Sequence, residues 1–163
     1  MLEHFRPLAP LRWSPPDNFH ITTHFIGEWP EERLDELKSV IAGVKGSGGE
    51  LRMQIKGFGW YPNPHQPRVL LAGVKAEPAL YELAAKLREA CSTLGVAKED
   101  RSYSPHVTLA RIRQQNNERI NLTPLRQAIA QLPSDDFGQN KATKFLLYKS
   151  EAKVYSVIGE FPL

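Results

Sequence analysis

The stretch Ser104–Pro105–His106–Val107–Thr108–Leu109–Ala110–Arg111 has an earlier counterpart in Phe19–His20–Ile21–Thr22–Thr23–His24–Phe25–Ile26–Gly27. Each holds His-x-Thr with a β-branched aliphatic residue in the middle, and each reads as a strand. In a strand, residues i and i+2 point to the same face. His20 and Thr22 therefore share one face, as do His106 and Thr108, while Ile21 and Val107 turn to the other as core anchors. One such triplet is most often a solvated pair on a sheet. Two copies, 86 positions apart, are more specific. They predict an internal duplication whose halves face each other across a cleft. Two imidazoles there can act as base and acid on one substrate, and two threonine hydroxyls can donate to one phosphate.

The rest of the chain supplies helices and strands around these motifs. Pro30 opens a helix with Glu31 and Glu32 in its first turn, where negative charge suits the helix dipole. Leu34, Leu37, Val40, Ile41 and Val44 follow at helical period. A second helix runs from about Pro78 to Leu94, with Leu80, Leu83, Ala84, Leu87, Cys91 and Leu94 on one stripe, and a third lies around Pro124–Leu132. Leu51–Arg52–Met53–Gln54–Ile55 alternates as a half-buried strand does. Arg68–Val74 is an apolar strand, and Phe145–Tyr148 and Val154–Ile158 are two late ones. Interleaved helices and hairpin-like strand pairs predict an α+β fold with mostly antiparallel sheet.

Composition narrows the class. The chain has 163 residues, 41% hydrophobic and 24% charged, which suits one globular domain over residues 1–163. Twenty-one Lys and Arg against 18 Asp and Glu give +3, enough to admit an anionic partner without demanding one. Apolar runs such as Val69–Val74 are too short to span a bilayer, so no membrane association is expected. The start lacks a charged segment followed by an apolar core, and the single cysteine, Cys91, forms no intrachain disulfide. A cytoplasmic protein is expected.

The residues of both motifs and their surroundings resemble the two-histidine phosphoesterases, and within them the RNA 2′,3′-cyclic phosphodiesterases, also called 2′–5′ RNA ligase-like proteins. Leu11–Arg12–Trp13 with Pro15–Pro16 leads into the first motif as in that family, and Phe25–Ile26–Gly27–Glu28 closes it. Gly57–Phe58–Gly59, Tyr61–Pro62–Asn63–Pro64 and Pro67–Arg68–Val69–Leu70 resemble its central hairpin. Phe145–Leu146–Leu147–Tyr148–Lys149–Ser150, Tyr155 and Phe161–Pro162–Leu163 resemble its ending. The resemblance implies two pseudo-symmetric lobes of antiparallel sheet, helices outside, around a central groove. It also implies an apolar strand and helix ahead of the tryptophan region. Only Met1–Arg12 precedes Trp13, so an N-terminal element is expected to be missing.

Carried over residue by residue, the catalytic histidines fall on His20 and His106, and the substrate-binding positions on Thr22, Thr108 and Arg111. Phe25 and Arg111, each five after its histidine, are base-stacking candidates. Strict alternation turns both away from the groove, so a bulge or strand end is required. Phe25 has a core role as its alternative. The implied reaction opens a 2′,3′-cyclic phosphate at an RNA end, or on a nucleoside, to a 2′-phosphate, with no cofactor or metal and no obligate protein partner. One histidine activates water and the other protonates the leaving oxygen. The reverse step would join RNA ends through a 2′–5′ link. Two other classes remain open: a non-catalytic RNA- or nucleotide-binding module inactivated by a short N-terminus, and a metal-dependent phosphohydrolase.

Seven further positions have plainer readings. His24 is expected at the rim of the His20 face, and His4 and His65 in exposed Pro-rich loops. Cys91 and the tryptophans Trp13, Trp29 and Trp60 are read as packing residues.

Overall fold

The alternation at Leu51–Met53 grows into the longest strand among the described residues. In the computed structural model, which describes residues 2–46, 48–98, 101–112, 120–151 and 154–163, β2 runs Leu51–Tyr61. The Pro-rich turn then reverses the chain, and the Arg68 N–H donates to the Tyr61 carbonyl at 2.7 Å to close it. The apolar run follows as β3, Val69–Ala76. Pro78, at the first position of helix α3 (Pro78–Ser92), costs no hydrogen bond there. The second motif is β4, His106–Arg111.

Strand β1 (Arg12–Trp13) and β5 (Asp136–Ala142) complete a five-stranded sheet among the described residues, in the order β1-β4-β3-β2-β5. β4 pairs antiparallel with β1 on one side and β3 on the other. A separate hairpin joins β6 (Lys144–Glu151) to β7 (Val154–Pro162), antiparallel, with its register shifting between Leu147 and Tyr148. Short helices α1 (Leu2–Phe5), α2 (Leu34–Ala42) and α4 (Thr123–Ala130) complete the fold. The α+β class with antiparallel pairing is thus realised, and helices α2, α3 and α4 fall where periodicity put them. The stretch before Trp13 holds α1 and a 3-10 turn at Arg6–Leu8.

The first motif departs from expectation. Phe19–Gly27 does not extend as a strand: among the described residues its pairing is a single antiparallel bridge, Ile21 to Val107. The chain bends at Thr23, so alternation stops being a guide beyond Ile21.

The chain divides into two compact units. The first takes Met1–Ile21, Ile55–Val74 and His106–Gly138. Its buried residues include Phe5, Leu70, Val107, Leu109 and Leu125. Phe58 meets Phe5 and Phe137 edge-on, at ring centroid distances of 5.8 and 5.1 Å. Such pairs add about 0.5–1.5 kcal/mol each beyond their burial. Trp60 carries the Arg126 guanidinium 4.9 Å above its ring.

The second unit takes Thr22–Gln54, Lys75–Pro105 and Gln139–Leu163. Here α2 lies against α3. Leu37 and Ile41 of α2 and Leu80, Leu83, Leu87 and Cys91 of α3 are buried, as the two stripes require. Each fully buried leucine contributes about 1.5–3 kcal/mol by leaving water.

Candidate functional site

β4 is amphipathic because a strand has two faces and only one is core. Val107 and Leu109 are buried, and β3 sets buried Ala72 opposite Val107. His106 and Thr108 point the other way and are half-buried. Their neighbours on β3 are Gly73, opposite His106, and Leu71, opposite Thr108. On the β1 side Trp13 stands opposite Ala110, which pairs with Leu70 past a register shift and so shares the buried face of Val107.

The Ile21–Val107 bridge adds the first motif to this surface. In an antiparallel pair the residue before one partner faces the residue after the other, so His20 comes across from Thr108. His20 and His106 both belong to the first unit. The His20 ring is held by its own turn: Nδ1 lies 2.7 Å from the Asn18 carbonyl oxygen. A carbonyl only accepts, so Nδ1 carries a proton in this contact. The 3-10 turn Pro16–Asn18 presents that carbonyl.

Thr22 opens the second unit and is exposed. Phe25 is 71% exposed, which removes its core alternative. Arg111 is exposed at the end of β4, still paired with Arg12 on one side and Val69 on the other. The ladder with β3 shifts between Leu70 and Leu71, which leaves Leu109 as an extra residue on β4. Past this bulge Arg111 stands opposite Val69, in phase with Leu71 and Gly73, and so shares the face of Thr108 and His106.

His24 is not at a rim. With Thr23, Ile41, Cys91 and Phe145 it lines a cavity of about 40 Å³ in the second unit. The bend at Thr23 carries it there, where an unbroken strand would have kept it beside His20. His4 and His65 are exposed, and Cys91 is fully buried. Burial pushes its thiol pKa up. Among the described residues no three His, Cys, Asp or Glu side chains gather as a metal-binding group. None of their helices is long and apolar enough to cross a membrane.

Two participants escaped the sequence reading. The Asn18 carbonyl is a backbone group and leaves no mark in residue type. Gly73 does leave one, because an isolated glycine inside an apolar strand signals close backbone approach.

Known proteins resemble this chain in sequence and fold. The sequence model of the LigT-like phosphoesterase family matches residues 1–71 and 73–158. The RNA 2′,3′-cyclic phosphodiesterase of Methanocaldococcus jannaschii is 32% identical over 149 residues, which make up 89% of this chain and 80% of that protein. Among solved structures, TT0787 of Thermus thermophilus is similar at TM-score 0.77 and 29% identity, covering 99% of this chain and 88% of that one. E. coli LigT, solved with 3′-AMP, shares the fold at TM-score 0.76 and 23% identity, over 99% of this chain and 86% of its own.

Proposed function

The chain belongs to the LigT-like phosphoesterase family, and from that premise we propose that it hydrolyses 2′,3′-cyclic phosphates at RNA ends, or on nucleosides, to 2′-phosphates. Relatives carrying the name RNA 2′,3′-cyclic phosphodiesterase support the reaction. A nucleotide complex of E. coli LigT supports the ligand class. The observation that carries the reading is the Ile21–Val107 bridge, which sets His20 across the sheet from Thr108 on the strand of His106.

In the reaction, His106 accepts a proton from water as its oxygen attacks phosphorus. The bond from phosphorus to the 3′ oxygen breaks, and His20 gives that oxygen a proton through Nε2. The 2′-phosphate remains. Nδ1, bonded to the Asn18 carbonyl, keeps its own proton throughout and holds the ring's orientation. Thr22 and Thr108 hydroxyls donate to the phosphoryl oxygens, where negative charge grows. Arg111 adds positive charge for the phosphates, and the exposed ring of Phe25 stacks on a base. Two imidazoles account for both proton transfers, so the scheme draws on no metal ion.

The test is turnover of a nucleoside 2′,3′-cyclic phosphate and of a cyclic-phosphate-ended RNA in excess EDTA, with His20→Ala and His106→Ala beside the parent. Products are separated by chromatography. The expected result is a 2′-phosphate product and a loss of about 10²–10⁴-fold in each variant, with unchanged circular dichroism. Activity that disappears with EDTA, or that survives both substitutions, overturns the scheme.

A further inference from the structure

Arg12 and Arg111 stand directly opposite one another across β1 and β4. Like charges in that position repel, and folded proteins commonly relieve such a pair with a carboxylate. Among the described residues none does so: both side chains are exposed, and the ion pairs engage Arg6, Arg33, Arg52 and four lysines, but neither Arg12 nor Arg111. A third guanidinium belongs to the same end of the sheet. Arg68 is exposed, immediately precedes β3, and accepts the Ile112 N–H on its carbonyl at 2.9 Å. Three neighbouring strands thus bring three arginines to one end.

Two forked donors side by side, without an acceptor, complement a phosphodiester, whose two free oxygens accept from both. We propose that Arg12 and Arg111 clamp an internucleotide phosphate of the RNA chain behind the cyclic end. This deepens the function proposed above and rests on it for the identity of the chain. The register says which phosphate it is. On β3, Val69 stands opposite Arg111, Leu71 opposite Thr108 and Gly73 opposite His106, so the bulge brings Arg111 onto the face of both. Arg111 lies two β3 positions beyond Thr108, about 7 Å at about 3.3 Å per residue. The pair therefore sits one step along from the reacting phosphorus and takes the next phosphate of the strand. An RNA end then binds better than a mononucleotide, by contacts that a mononucleotide cannot make.

The experiment measures binding of a short 5′-fluorescein RNA ending in a 2′-phosphate by anisotropy, from about 50 to about 200 mM salt. Parent, Arg12→Ala, Arg12→Lys and Arg12→Glu proteins are compared. Arg12→Ala is expected to weaken binding about tenfold. It should also flatten the plot of log affinity against log salt by about 0.7, as for one lost single-strand contact. Arg12→Lys keeps the slope and loses part of the affinity, because it keeps the charge without the fork. Arg12→Glu binds more weakly than Arg12→Ala, since its carboxylate pairs with Arg111. Unchanged slope and affinity in both Arg12→Ala and Arg12→Glu overturn the clamp. Turnover of a nucleoside 2′,3′-cyclic phosphate runs in parallel. A fall there as large as the fall in RNA binding moves Arg12 to the reacting phosphate and also overturns the proposal. A parent that turns over neither substrate overturns the phosphodiesterase reading alone, because the salt slope is read without turnover.

Discussion

Gly73 is where packing and chemistry press on the same atom. It stands across from His106 on one side, and on the other it meets β2: a Cβ built there would lie 2.8 Å from the Lys56 carbonyl oxygen. Carbon and carbonyl oxygen on adjacent strands ordinarily stay about 3.3 Å or more apart. Gly73→Ala therefore forces β2 and β3 apart by about half an ångström, and the obstacle is backbone, which cannot rotate away. Overpacking of this kind costs about 1–3 kcal/mol. For a chain of this size each kcal/mol lowers Tm by about 2–4 °C, so a loss of about 4–8 °C is expected at the middle of that range. Displacing β3 also displaces His106. A 1 Å error in a catalytic group can cost about 10² in rate, so a few tenths should cost roughly tenfold or less. Gly59→Ala is the control. Its Cβ would come 2.6 Å from Leu71 Cδ1, the far end of a flexible side chain. A rotamer adjustment there costs about 0.5–1.5 kcal/mol. Thermal unfolding by circular dichroism and cyclic-nucleotide turnover report the two effects separately. The reasoning is refuted if Gly73→Ala matches the parent in both, or if Gly59→Ala is the more damaging change.

Two further outcomes follow from burial and exposure. Burial raises the thiol pKa of Cys91 and the phenol pKa of Tyr103 in the folded protein. Below the unfolded values, about 8.5 for the thiol and about 10 for the phenol, both states hold their protons and stability is flat. Above them the unfolded chain ionises first, so stability falls as pH rises. Cys91→Ala should remove the fall between about pH 8.5 and 10, read as denaturant midpoints across that window; an unchanged slope counts against the assignment. Phe25→Ala should leave stability within about 0.5 kcal/mol, since the ring is in water. It should raise the RNA KM at least several-fold, because base stacking on an aromatic ring is worth about 1–3 kcal/mol. A large stability loss would make the ring structural.

Much of the molecule was legible because its signals are local. The Leu stripe of α3, the alternation at Leu51–Met53 and the anchor at Val107 each depend on a residue's own phase in its own element. What stayed illegible depends on pairing. Phe19–Gly27 alternates as well as β4 does, yet a strand needs a partner along its length, and beyond Ile21 the bridge finds none among the described residues. β5, Asp136–Ala142, went unread for the opposite reason. Its Asp, Gly, Asn and Lys are poor strand formers. It lies at the edge of the sheet, where exposed polar side chains discourage pairing with another chain.

This difference bears on the roles proposed for the two histidines. His106 sits in a strand paired with β3 at its own position, so the sheet fixes its backbone from without. His20 lies beside a single bridge and is fixed from within, by the carbonyl two residues before it. The same triplet is thus held by two unlike devices. What the copies share is the chemistry of an imidazole beside a hydroxyl, not a common backbone. Losing the sheet's grip at Gly73 should therefore move His106 more than His20. Any change to the Pro16–Asn18 turn that withdraws the Asn18 carbonyl should do the reverse. It would free the His20 ring to take its other tautomer while leaving His106 in place.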